Sequence, residues 1–342
     1  MRIVNSVLGD ARGGRWRVVC DYSRILVEHG HEVLLLLNRQ HLPGLEGLPS
    51  GVRVEAVRNH GHYDYLAAFG ARPRLRRFSP ELAIAHCSRS VALLKRALDP
   101  KIPVLAVSHS NKVRRLLPAD AYIALTGHIA RQFEMSATGK HCYRLPNMIR
   151  MDTAEAPGLR PRHVPVRVGA MGRFDRVKGF DVLIEALALL RRQGYLFAAT
   201  IAGSGDQRSA LASQLSEANL SDCVALSDWV DDVSEFFSSL DILCIPARSD
   251  AFGLTPLEGA RASLPMVLST ASGHCEMFAD NSQALFADVD DASATAAQIA
   301  RLMDDPQLAA SLAEAAFRRV SDCFSEKVVS DKLLQIVNIY DK

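Results

Sequence analysis

Long apolar runs are missing from this sequence. No stretch approaches the roughly 18 consecutive apolar residues that a membrane-spanning helix needs, so none is expected. Paired cysteines are missing too. The seven (Cys20, Cys87, Cys142, Cys223, Cys244, Cys275 and Cys323) are odd in number and scattered, without a CxxC pair, which argues against a disulfide framework or a zinc cluster. They read as small buried hydrophobes in a reducing compartment. The opening MRIVNSVLGD reads as a first strand and not as a leader, so a cytoplasmic location is expected. There is no repeat of solenoid length and no low-complexity tract.

A large net charge is also lacking, since 342 residues sum to +2. The balance hides an asymmetry: residues 1–150 carry +12 and residues 151–342 carry −10. Opposite charge in the two halves predicts two domains with different partners. Apolar residues make up 48%, enough for two cores.

Strand-like and helix-like stretches alternate along the chain. RIVNSVL, VVCDYSRILVEHG and HEVLLLLN form a βαβ series, and the rhythm restarts with VRVGAMGRF, FDVLIEALALLRRQG and FAATIAGSG. In the second helix, Leu183, Ala186, Leu187 and Leu190 make a core-facing stripe, and Gly194 stands at the expected helix end. The Pro-rich stretch between the sections reads as a linker over residues 151–165. The reading is α/β, with two doubly wound domains of the Rossmann kind facing a central cleft. Residues 1–150 form the first domain, 166–325 the second, and 326–342 a final helix packing back on the first. Ligands in such sheets sit in loops beyond the strands' carboxyl ends.

Three loops carry candidate chemistry. Gly9–Arg15 puts glycines between the first strand and first helix, where backbone N–H groups can meet an anion, but it is not GxGxxG. GRFDRVKG at 172–179 sets Arg173 and Lys178 where a diphosphate could be clamped. SDAFGLTPLE at 249–258 places Asp250 in a loop and Glu258 inside the following helix, suited to vicinal hydroxyls of a ribose or hexose. Asp250 could instead serve as a helix cap. Asp288-Val289-Asp290 matches a D-x-D metal-binding pattern, but it precedes ASATAAQIARLM, so Asp290 or Asp291 is expected to cap a helix. The HGH tripeptides holding His29, His31, His60 and His62 lack a third ligand.

Taken together, GRFDRVKG and DAFGLTPLE, with GSGD at 203–206 and DWVDD at 228–232, resemble glycosyltransferase family 4, the retaining GT-B enzymes. GHEV at 30–33, AIAHCSRS at 83–90, VLAVSHS at 104–110 and RLPNMI at 144–149 extend the resemblance along nearly the whole chain. It implies that Arg173 and Lys178 hold the donor diphosphate, Glu258 the ribose, and Asp250 the transferred sugar. His109 would also contact that sugar. Gly13 and Gly14 would lie near the phosphates, and Val230 by the base. Gly172, Gly203, Phe252, Gly253 and Leu254 would complete the donor side. Asp250 replaces a longer glutamate, and Trp16 stands in the first loop where small or acidic residues are usual.

The resemblance implies a hexosyl-type transferase that moves sugar from a UDP- or GDP-sugar with retention, needing no metal and no other cofactor. The basic first half, with clusters at Arg72, Arg74, Arg76 and Arg77 and at Lys112, Arg114 and Arg115, suits an anionic membrane surface. The partners expected are therefore a glycolipid or glycan acceptor, as in lipopolysaccharide or polysaccharide biosynthesis, and the inner face of the cytoplasmic membrane. Leu75, Phe78, Leu116 and Leu117 are expected to add apolar contact. Aromatic interleaving is sparse, so nucleic acid is not an expected partner. The alternatives are a nucleotide-sugar epimerase of the same fold and a catalytically silent binding protein.

Overall fold

The computed structural model describes residues 1–9, 13–41, 47–136, 139–151, 162–230 and 232–341. Asp10, Ala11, Arg12, Asp231 and linker residues 152–161 lie outside them. The chain divides into two compact units, Met1–Asn147 with Lys327–Lys342, and Met148–Glu326.

The first unit contains β1 (Arg2–Val7), α1 (Gly13–Glu28), β2 (Glu32–Asn38), β3 (Arg53–Val57), α2 (Tyr65–Phe78), β4 (Leu82–Ala85) and α3 (Ser88–Ala97). β5 (Val104–Ser108), β6 (Ala121–Ala124), α4 (Gly127–Ser136) and β7 (Cys142–Arg144) follow. Its seven strands are parallel in the order β3-β2-β1-β4-β5-β6-β7. Helices cover both faces of such a sheet, so a strand like β2 (EVLLLLN) is apolar throughout instead of alternating, and six of its seven residues are buried.

The second unit runs through β8 (Val166–Met171), α5 (Phe180–Arg192), β9 (Phe197–Ala202), α6 (Arg208–Glu217), β10 (Val224–Ser227), α7 (Val233–Ser238) and β11 (Ile242–Ile245). α8 (Leu254–Arg261), β12 (Met266–Ser269), α9 (Ser272–Met277), β13 (Leu285–Ala287), α10 (Ala292–Asp304) and α11 (Pro306–Phe324) complete it. Its parallel sheet has the order β10-β9-β8-β11-β12-β13. Leu183, Ala186, Leu187 and Leu190 of α5 are at most 1% exposed, so the stripe read from the sequence faces the core. The last helix, α12 (Glu326–Asn338), buries Val329, Leu333, Ile336 and Val337. Just beyond it, the hydroxyl of Tyr340 lies 3.2 Å from that of Tyr143, in the first unit.

Candidate functional site

Each sheet reverses its strand order beside the first strand of its unit, between β1 and β4 and between β8 and β11. Loops leaving those strand ends diverge to opposite faces and open a crevice at the reversal. In the second unit, the loop after β8 carries Gly172, Arg173 and Lys178, and the loop after β11 carries Asp250.

These loops meet through charge. Lys178 Nζ lies 3.2 Å from Asp250 Oδ2, and the side chains are 25% and 8% exposed. The Arg173 guanidinium lies 3.0 Å from Asp175 Oδ2 and is 69% exposed. The other oxygen of Asp175 accepts from the Lys178 backbone N–H at 3.2 Å, closing a short turn over Arg176–Lys178. Two cations and two carboxylates thus alternate along one rim.

Asp250 does not cap a helix. The N-cap of α8 is Gly253, which has no capping side chain, so the first-turn N–H groups of α8 have no such partner. A Cβ on Gly253 would stand 2.6 Å from Asp250 Oδ2, so glycine is what admits the carboxylate there. Glu258 sits one turn inside α8 and is 6% exposed. Leu254 opens that helix. Phe252 is buried with its ring against Phe324, centroids 5.2 Å apart at 79°, so the ring serves packing. Gly203 follows β9 and donates its N–H to Ser227 O at 3.2 Å, and Val230 follows β10, half-buried.

In the first unit, Gly13 and Gly14 begin α1, exposed. Trp16 packs against the cluster of Val7, Val19, Leu35 and Leu37, so its bulk is used in the core. His109 follows β5, and its Nε2 lies 2.9 Å from Nδ1 of His86, which follows β4. Burial, with the Arg15 charge nearby, lowers the His109 pKa to about 3. Burial, then His109 and Arg15, hold His86 well below the usual histidine value. Both rings are therefore neutral near pH 7, and one donates to the other. His86 was not singled out in the sequence, although it lies within AIAHCSRS; nothing local announces its partner.

The D-x-D carboxylates and the neighbouring Asp291 have structural partners. Asp291 caps α10 by accepting from Ala294 N at 2.7 Å, Asp290 pairs with Arg248 Nε at 2.5 Å, and Asp288 accepts from Thr270 Oγ1 at 3.3 Å. Arg248 also donates to both oxygens of Asp181, tying the loop after β11 to the start of α5. Among the described residues, no group of three His, Cys, Asp or Glu is arranged to hold a metal ion.

The expected apolar partners of the basic clusters need correction. Leu75 and Phe78 are 1% and 6% exposed because α2 turns that stripe onto the core, and Leu116, in the short turn Arg114–Leu116, is 5% exposed. The apolar residues that α2 exposes are Tyr65, Leu66 and Phe69, at 64%, 85% and 71%, with Tyr63 just before it at 76%.

Residues 159–319 match the family described as Glycosyl transferases group 1. This region carries the group 1 glycosyltransferase pattern. It contains Arg173, Lys178, Asp250 and Glu258. Lipopolysaccharide core biosynthesis glycosyltransferase LpsE of Rhizobium meliloti is 30% identical to the chain over 177 residues, 52% of this chain and 51% of that one. The chain thus spans about half the length of this curated relative. Sucrose-phosphate synthase from Thermosynechococcus elongatus superposes with a TM-score of 0.84 at 17% identity, covering 98% of each chain. Anabaena HepE in complex with UDP superposes at 0.82 and 17%, covering 99% of this chain and 100% of that one. The fold around the group 1 region is accordingly GT-B, two Rossmann-like domains with parallel sheets. Neither the epimerase nor the silent-binder alternative gains support from these relatives. Among the described residues, no helix is long and apolar enough to cross a membrane.

Proposed function

We propose that this chain is a retaining glycosyltransferase that moves a hexosyl group from a UDP- or GDP-sugar to a lipid-linked or anionic glycan acceptor. The acceptor is of the lipopolysaccharide-core or polysaccharide-precursor kind. The observation that carries the reading is the Lys178–Asp250 pair at the strand reversal of the second unit, with Arg173 on the same rim and Glu258 in α8. Cations and uncapped helix N–H groups suit a diphosphate, and carboxylates suit sugar hydroxyls. During transfer the bond from the anomeric carbon to the diphosphate oxygen breaks, a bond to an acceptor oxygen forms, and the acceptor proton is lost. Arg173, Lys178 and the start of α8 stabilise the charge growing on the departing diphosphate, so no metal is required. LpsE is named for lipopolysaccharide core biosynthesis and HepE is seen with UDP, in keeping with donor and acceptor.

The acceptor side belongs to the basic first unit, working at the cytoplasmic face of an anionic membrane. α2 supports this with exposed Tyr65, Leu66 and Phe69 in its first half and exposed Arg72, Arg74, Arg76 and Arg77 in its second, the make-up of a helix lying in a lipid interface.

The test is product analysis with UDP-, GDP- and ADP-sugars, each with and without lipopolysaccharide-core acceptors. Acceptor-dependent transfer with the donor's anomeric configuration is expected. An altered sugar without acceptor would replace the reading with an epimerase. Nucleotide binding without turnover on any acceptor would leave a binding protein.

A further inference from the structure

His274 lies wholly inside the second unit, at the start of α9, and its Nε2 has no hydrogen-bond partner. That nitrogen lies 3.9 Å from Asp250 Oδ2. An orphaned buried nitrogen is unfavourable, so its presence beside the crevice's carboxylate asks for a reason.

The other side of the ring decides where its proton sits. Nδ1 lies 3.1 Å from the Ser269 carbonyl oxygen and 3.2 Å from Ser269 Oγ. Ser269 Oγ donates its own proton to Ala247 O at 2.5 Å, so toward the ring it only accepts. Both neighbours of Nδ1 are acceptors, and Nδ1 therefore carries the hydrogen. The neutral ring turns a bare lone pair toward Asp250.

Two further contacts bound Asp250 on this side. The N–H of Gly273 donates to Asp250 O at 3.0 Å, and a Cβ on Gly273 would fall 2.5 Å from that oxygen. Both side-chain contacts of Asp250 fall on Oδ2, from Lys178 and from His274, which leaves Oδ1 for a ligand. A lone pair behind a carboxylate repels it, so the neutral ring acts as a backstop.

We propose that His274 is a positioning residue for Asp250: its neutral ring, locked by Ser269, keeps the carboxylate on Lys178 and turned toward the bound sugar, whereas a proton on Nε2 draws it back. This rests on the glycosyltransferase reading of Asp250. The charged groups facing the ring are Asp250, from the loop after β11, and Lys178, from the loop after β8. Burial lowers the pKa of His274 and outweighs Asp250, which raises it, while Lys178 lowers it further. The ring is therefore neutral near pH 7 and takes its proton only below the usual histidine value of about 6.5.

Two substitutions separate this from simple packing. His274→Gln puts a permanent N–H at the Nε2 position, and His274→Leu puts no proton there. At pH 7.5, both variants should lower kcat/KM, the Gln variant at least about fivefold and the Leu variant by less. The acid loss of wild-type activity should shrink in the Leu variant, and affinity for UDP or GDP, whichever the wild type binds, should be unchanged in both. A Gln variant as active as wild type, or an unchanged acid limb in the Leu variant, overturns the proposal.

Nitrogen-15 NMR of wild-type histidines gives a second measurement if either variant fails to fold, with His274 assigned by its response to Ser269→Ala. The neutral Nδ1–H form at pH 7.5 is expected, and an Nε2–H form or an imidazolium there overturns the proposal. Absence of sugar transfer by the wild type would instead count against the functional reading, and the NMR result would still decide the tautomer.

Discussion

Lys178 Nζ and Asp250 Oδ2 lie 3.2 Å apart, joining loops that leave β8 and β11 seventy-two residues apart in the chain. The carboxylate is 8% exposed, so the ammonium compensates a charge that water barely reaches.

Removing either rim cation should impair catalysis. Lys178→Ala and Arg173→Ala are each expected to lower kcat/KM at least about tenfold, near 1.4 kcal/mol of transition-state stabilisation. Lys178→Ala should also lower Tm, because Asp250 is left buried without its cation, whereas exposed Arg173 should not. Adding Asp250→Asn to Lys178→Ala should recover part of that Tm. Thermal melts and steady-state kinetics check this; activity within twofold of wild type for both single variants would remove the diphosphate assignment.

Glu258 and Asp250 should separate in binding. Glu258→Ala is expected to weaken free nucleoside diphosphate, since the ribose loses a charged acceptor. Asp250→Ala should leave that affinity nearly unchanged and reduce transfer. Calorimetric titration of both with UDP and GDP decides it, and an equal loss of affinity in both contradicts the division of roles.

Chelation should leave activity intact. The D-x-D carboxylates Asp288 and Asp290 are engaged with Thr270 and Arg248, and the proposed charge stabilisation comes from cations and helix N–H groups. Activity assays after exhaustive EDTA treatment are the check. Full loss restored by manganese or magnesium would require a metal in the mechanism.

Binding to membranes should depend on both halves of α2. Co-sedimentation is expected with anionic vesicles and should fade with neutral ones or added salt. Tyr65, Leu66 and Phe69 changed together to Ser should weaken it, as should Arg74, Arg76 and Arg77 changed to Glu. No binding of the wild type to anionic vesicles at low salt would favour a soluble acceptor.

Stability should fall in mild acid. His86, His109 and His274 have folded pKa values below that of an unfolded histidine, about 6.5. The unfolded chain thus binds more protons, and stability is complete above that value and declines as pH drops below it. Urea midpoints between about pH 7.5 and 5 should record the decline, and His109→Gln should flatten part of it. A midpoint that does not move in the wild type would mean these rings are not buried neutral.

Local pattern was enough for much of this protein. The apolar run of β2, the stripe Leu183, Ala186, Leu187 and Leu190, and the alternation of strand and helix depend on neighbours within a few residues, and they predict two doubly wound sheets. The positions of the candidate loops were legible for the same reason: GRFDRVKG and DAFGLTPLE each follow a strand. Contacts between distant segments were not. Only the tertiary structure decided that Lys178 meets Asp250, that His86 meets His109, and that His274 stands behind Asp250, because packing of separate crossovers makes those pairs. It also decided that α2 buries Leu75 and Phe78 and exposes Leu66 and Phe69, since which face of a helix meets the sheet is settled by the surface waiting for it.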